Sequence, residues 1–107
     1  MKKALFILAT VALGFSLPVQ ARGNYEAGKA KSTTCATCHG PEGVSAVSAF
    51  PMLAGQHRDY LYHSLKDYQS GKRNNPIMAG QAQTLSDADM QDLALFFSRQ
   101  KGLSLKY

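Results

Sequence analysis

Tryptophan is absent from this sequence, and cysteine occurs only twice, at Cys35 and Cys38. Two thiols are too few for the disulfide framework that holds many small exported domains together. A disulfide between these two would close so short a loop that it would restrain little of the unfolded chain. The sequence also lacks a second Cys-x-x-Cys and a His-x3–5-His pair, since His57 and His63 stand six apart, so the ligand set of a structural zinc site is missing. No run alternates convincingly as a β-strand, which removes the βαβ setting of a thioredoxin-like redox pair. A dense basic stripe with interleaved aromatics is missing too, and nucleic-acid binding is therefore not expected. Acidic residues are outnumbered 12 to 7, giving a formal charge of +5. That excess is partly an effect of the N-terminus, because losing Lys2 and Lys3 leaves +3.

The N-terminus reads as a targeting segment. Lys2 and Lys3 form a basic start, Ala4 to Leu17 is almost wholly apolar, and Val19-Gln20-Ala21 offers small residues for cleavage after Ala21. The apolar run is shorter than the ~20 residues of a membrane-spanning helix. The expected organisation is a cleaved signal peptide at residues 1–21 and one domain at 22–107, with a mature protein that does not span the membrane. At 86 residues that domain would bury only about 60% of its unfolded surface and would be marginal without a further core element.

Against these absences stands Cys35-Ala36-Thr37-Cys38-His39, followed by Gly40. Cys-x-x-Cys-His is the attachment signature of a c-type haem. On a helix, positions i, i+3 and i+4 share one face, so both thiols and the imidazole point the same way. The thiols can form thioethers to the haem vinyl groups while His39 reaches the iron. A covalently held macrocycle would also supply the apolar mass that the small domain lacks.

The remainder reads as helices and loops. Asn24 to Ala36 is expected as a first helix capped by Asn24, in which Gly28 either permits a close helix approach or is an idle surface glycine. Gly40 to Ala49 is loop, and Phe50-Pro51-Met52-Leu53-Ala54-Gly55-Gln56 is a compact apolar loop. His57 to Ser70 is a helix with Leu61, Leu65 and Tyr68 on one face and Gly71 as its stop. Lys72 to Gly80 is expected as loop. Ser86 then caps a last helix, with Asp89 at the third helical position and Leu85 and Met90 spaced as a hydrophobic staple. Met90, Leu93, Ala94 and Phe97 form its buried stripe. Asp87, Asp89 and Asp92 near its start and Arg99 and Lys101 at its end suit the helix dipole, with Gly102 as terminator.

A second axial ligand could come from Met52, Met78, Met90, His57 or His63. Met90 reads as core, His63 as solvated, His57 as an exposed or capping residue and Met52 as packing. Met78 stands in a loop behind Pro76, well separated in sequence from His39. Position leaves it open between ligand and filler.

Cys-Ala-Thr-Cys-His-Gly, then Phe-Pro-Met-Leu-Ala-Gly-Gln, then Leu-x-x-Tyr-x-x-Gly-Lys-Arg, then the stretch from Met78 through Leu-Ser-Asp-x-Asp-Met-x-Asp-Leu-Ala, resembles class I c-type cytochromes across essentially the whole mature chain. Within them it is similar to a single-haem unit of the c-four group of bacterial periplasmic cytochromes. The resemblance implies an all-α cytochrome c fold of three to four helices around one covalent haem c, with the N- and C-terminal helices crossing at Gly28 near Phe96 and Phe97. It implies Cys35 and Cys38 as thioether sites, His39 and Met78 as axial iron ligands, Pro51 as carbonyl partner of the His39 ring, and Gln56 and Arg73 near the haem propionates. Haem-facing apolar positions are expected at Leu53, Leu61, Leu65, Ile77, Leu93 and Phe97.

The function so implied is one-electron transfer in the periplasm, where bacteria attach haem covalently. The partners would be a transient redox donor and acceptor, and the protein a monomer or weak dimer rather than an enzyme. The alternatives are a haem subunit of a periplasmic dehydrogenase and an open-site haem peroxidase or gas sensor. The c-four proteins carry two haems per chain, whereas this sequence has a single attachment motif.

Overall fold

Five helices and their connecting loops make up the computed structural model, which describes residues 22–102 together with Gly14. The signal peptide expected at residues 1–21 thus falls, apart from Gly14, outside the described residues. Among the described residues there is no strand, and the chain is all-helical as the residue pattern implies.

The first expected helix is two. α1 spans Tyr25–Lys31 and α2 spans Thr33–His39, separated at Ser32. Asn24 caps α1, its side chain accepting from the Ala27 N–H at 2.9 Å. The break has a local cause. Ser32 Oγ donates to the Lys29 carbonyl at 2.7 Å, and Thr33 Oγ1 donates to the Ala30 carbonyl at 2.9 Å. Consecutive hydroxyls that bond backward compete with the regular backbone ladder. Ser32 is buried at the joint, so the polar break is fixed in place.

α3 spans Arg58–Ser70 and stops at Gly71, which takes the left-handed conformation (φ 81°) expected of a helix-terminating glycine. The stretch after Pro76 is not loop as expected. It forms α4, Pro76–Ala82, with Asn75 as N-cap accepting from the Ile77 and Met78 N–H groups, both at 3.1 Å. Pro76 occupies a first-turn position, where its missing N–H costs nothing. An Asn-Pro start signal was present in the sequence, but seven residues are too few to show a helical stripe.

α5 spans Asp87–Ser98 and begins with the complete capping box expected from Ser86 and Asp89. Ser86 Oγ accepts from the Asp89 N–H at 3.1 Å, and Asp89 Oδ2 accepts from the Ser86 N–H at 2.9 Å. Met90, Leu93, Ala94 and Phe97 are all buried, as their spacing predicts. The helix ends earlier than expected, at the C-cap Arg99, so Gly102 is not its terminator and Lys101 lies beyond it. The Arg99 N–H reaches the Phe96 and Phe97 carbonyls, and Gln100 Nε2 also donates to Phe96 at 2.8 Å. The end carbonyls are satisfied without a glycine turn.

The core lies where α1 crosses α5. A Cβ on Gly28 would collide with the Asp92 carbonyl and come within 2.9 Å of Phe96 Cβ. Gly28 is therefore the point of close approach, not an idle glycine. Tyr25 packs on Phe96 with ring centroids 5.4 Å apart, and Phe96 meets Phe97 edge-on at 5.0 Å. Asp92, 8% exposed, accepts from the Asn24 N–H and from Lys31 Nζ, both at 2.7 Å. Lys31 also meets Asp89 at 2.6 Å, and the pairing holds the Asp89 carboxyl down at about 2 while raising Lys31. Sequence reading assigned Asp89 and Asp92 to the helix dipole. The structure gives them a further task, that of clamping α1 across α5.

Candidate functional site

Cys35, Cys38 and His39 lie on α2, one face of which walls a cleft opposite α3 and α4. Two adjoining cavities, about 210 and 350 Å3, share Cys35, His39, Pro51, Tyr68 and Met78. Taken together they reach the size of a pocket for a sizeable organic group. Both cysteines are partly buried, Cys35 where the two cavities meet and Cys38 in the second.

His39 is 6% exposed, and its Nδ1 lies 2.7 Å from the Pro51 carbonyl oxygen. A carbonyl can only accept, so Nδ1 carries a ring proton, and in the neutral imidazole that leaves the lone pair on Nε2. A fixed imidazole whose outer nitrogen is donated to a carbonyl is the arrangement metal-binding histidines adopt. The loop that places Pro51 is set by a second contact, since the Gly43 carbonyl accepts from the Leu53 and Ala54 N–H groups at 2.8 and 3.1 Å.

Across the cleft, Met78 is half-buried on α4 and lines both cavities. Leu53, Leu61, Leu65, Leu93 and Phe97 line the first cavity. Ile77 belongs to the second and is 64% exposed, at the rim rather than in the wall. Gln56 and Arg73 both reach the first cavity. The Arg73 guanidinium lies 4.6 Å from the Tyr68 ring centroid and donates to Ser64 Oγ at 3.1 Å. Sequence reading found Tyr68 as part of the α3 face but had no means to see its stacking on Arg73.

The other ligand candidates separate cleanly. Met90 is core at 1% exposure. Met52 is not the packing residue expected; it is 40% exposed where it lines the first cavity. His63 is exposed, with its ring against Tyr62, and His57 is exposed at the N-cap of α3. Neither histidine lines either of the two cavities. A pair of thiols, an imidazole with a free Nε2, a thioether opposite and apolar walls between them suit an iron macrocycle held covalently. The site would hold it through Cys35 and Cys38, with His39 and Met78 both lining the space it would fill.

Comparison with known proteins agrees with this chemistry. The cytochrome c family model matches residues 25–100. Cytochrome c4 of Pseudomonas aeruginosa is 39% identical over 97 residues, covering 91% of this chain and 48% of that protein. A thiosulfate dehydrogenase electron acceptor of Thiomonas intermedia is 35% identical over 96 residues, covering 89% of this chain and 44% of that protein. The crystal structure of reduced cytochrome c4 from Pseudomonas stutzeri superposes with a TM-score of 0.72 at 40% identity, covering 76% of this chain and 47% of the other. The chain spans about half the length of the cytochrome c4 relatives it matches.

Proposed function

Since the chain belongs to the cytochrome c family, within the class I c-type group that includes cytochrome c4, and so carries covalently bound haem c and its iron, we propose that it is a one-electron carrier with His39 and Met78 as axial ligands. The observation that carries this reading is the placement of His39 and Met78 on the same two cavities, with the His39 tautomer set by Pro51. Bound haem supplies one reversible electron at its iron.

The residues do the rest. Pro51 holds the His39 ring so that Nε2 faces inward, and the bond raises its basicity. A thioether from Met78 is neutral and soft, which favours the reduced iron and raises the potential. Leu53, Leu61, Leu65, Leu93 and Phe97 exclude water and act in the same direction. With His39 and Met78 both committed to the iron, the site would offer no place for oxygen or peroxide, and the same two residues would serve in either redox state. Gln56 and Arg73, polar members of the wall, are assigned to the haem carboxylates. Met52, Tyr60 and Ile77 are exposed around the cleft and offer a small apolar contact for brief docking with donor and acceptor. The place of work is the periplasm, reached by export and cleavage after Ala21. Among the described residues no helix is long and apolar enough to cross a membrane.

The open-site alternative loses support from the cleft itself, because neither His57 nor His63 lines it as an acid–base partner. The dehydrogenase-linked alternative draws on the likeness to a thiosulfate dehydrogenase electron acceptor, which favours such an enzyme as the electron donor. Visible spectra of the oxidised holoprotein test the ligation. A low-spin spectrum with a far-red methionine–iron band, lost in Met78→Ala, is expected. The same variant should lower the potential by roughly 0.1–0.3 V, within the ~0.8 V that axial ligands can span. A high-spin wild-type spectrum that shifts with cyanide, or with carbon monoxide after reduction, and ignores the substitution would overturn it.

A further inference from the structure

α4 is a short wall of the cleft with few attachments to the rest of the molecule. It is seven residues long, with Ala82 its only buried residue, and among the described residues it packs against α3 and no other helix. Two side chains outside α4 hold its ends. Asn75 accepts from the Ile77 and Met78 N–H groups at the N-terminus. At the other end Gln69, on the last turn of α3, spends both N–H groups of its carboxamide. Its Nε2 donates to the Ala82 carbonyl at 2.9 Å and to the Leu85 carbonyl at 2.8 Å. Gln69 thereby ties α3 to the end of α4 and to the residue that precedes the Ser86 cap of α5.

Met78 and Ala82 are four residues apart, on one helix face. Whatever fixes Ala82 against α3 therefore fixes the direction in which Met78 points. We propose that Gln69 is a positioning residue for Met78: its two bonds to Ala82 and Leu85 hold α4 closed over the cleft and so set how readily an outside ligand replaces the thioether. This inference rests on the His39/Met78 ligation proposed above. Gln69 does not line either cavity and touches neither ligand, so its effect passes through the helix.

Gln69 is exposed, which allows a clean test. Gln69→Met keeps the length of the side chain and removes both donors, whereas Gln69→Lys keeps donors at similar reach. The experiment uses the holoprotein and follows the far-red methionine–iron band on adding cyanide, together with the denaturant midpoint of the whole protein. Gln69→Met should bind cyanide roughly ten- to thirtyfold faster, the effect of losing two ordinary hydrogen bonds that hold the closed form. The midpoint should fall by no more than the loss of the same two bonds, which are absent from the open form and the unfolded chain alike. Gln69→Lys should return both the rate and the midpoint toward those of the wild type. Wild-type cyanide kinetics in Gln69→Met would overturn the inference while leaving the ligation intact. So would amide exchange that quickens in α5 as much as in α4, the mark of global rather than local opening. A wild-type protein with no methionine–iron band would overturn the ligation, and this inference with it.

Discussion

The α1–α5 crossing and the α3–α4 corner flank the same cleft but are held by different physics. At the crossing, Gly28 lets two helices meet at backbone distance, Tyr25, Phe96 and Phe97 pack ring on ring, and Asp92 is nearly buried between Asn24 and Lys31. At the corner, one alanine is buried and the remaining hold comes from Asn75 and Gln69 capping a single short helix. Close packing tolerates almost no displacement, because a shift of a fraction of an ångström forfeits contacts on every side. Hydrogen bonds at an exposed helix end are worth about 1 kcal/mol each and can open singly. The fold thus sets a close-packed crossing beside a Met78-bearing corner that can give.

The largest expected effect breaks the rigid side. Gly28→Ala places a methyl group against the Asp92 carbonyl, where backbone cannot yield as a flexible side chain would. It should destabilise the holoprotein by about 3 kcal/mol, seen as a lower denaturant midpoint with an unchanged slope. An unchanged midpoint would mean the crossing is looser than its geometry indicates. The next effect sharpens the flexible side. Asn75→Ala should cost about 1 kcal/mol, the usual value of an N-cap, and confine the loss to α4. Amide exchange should quicken in α4 and stay slow in α5.

The smallest effect separates charge from packing at the crossing. The folded Asp89 carboxyl is held at about 2 against an ordinary 3.8, by Lys31 first and then by the Ser86 N–H. Its contribution is therefore complete above about pH 4 and is lost as the pH falls toward 2. Lys31 is raised above 10.5, so its share is complete below that value and fades at higher pH. Both side chains are partly exposed, 36% for Lys31 and 27% for Asp89, which keeps the effect small. Lys31→Met should flatten the acid limb of a stability–pH profile without moving the aromatic contacts. A limb unchanged by that substitution would assign the acid sensitivity to other carboxylates.

Legibility in the sequence follows the same division. The capping box at Ser86 and the stripe from Met90 to Phe97 were readable because a cap is local and the helical repeat recurs over about two turns. The Cys35–His39 motif was readable because attachment chemistry dictates its spacing. The division of the first helix at Ser32 was missed, since good helix formers surround two hydroxyls whose backward bonds are a matter of rotamer choice. α4 was missed for lack of length, although Asn75-Pro76 is a start signal. Gln69 carried no signal at all, because its partners are backbone carbonyls 13 and 16 residues away.

By itself, then, the sequence determined an all-helical chain with a covalent haem motif, an imidazole beside it, a capped C-terminal helix and a glycine able to admit a neighbour. These depend on residue type and on spacings within a few turns of helix. The tertiary structure alone decided that the neighbour at Gly28 is the backbone of α5, that the His39 proton sits on Nδ1 against Pro51, and that Met78 faces the cleft from a helix. Each of these depends on where distant backbone carbonyls come to lie. A carbonyl is the same in every residue, so no pattern of side chains announces its position until the chain has folded.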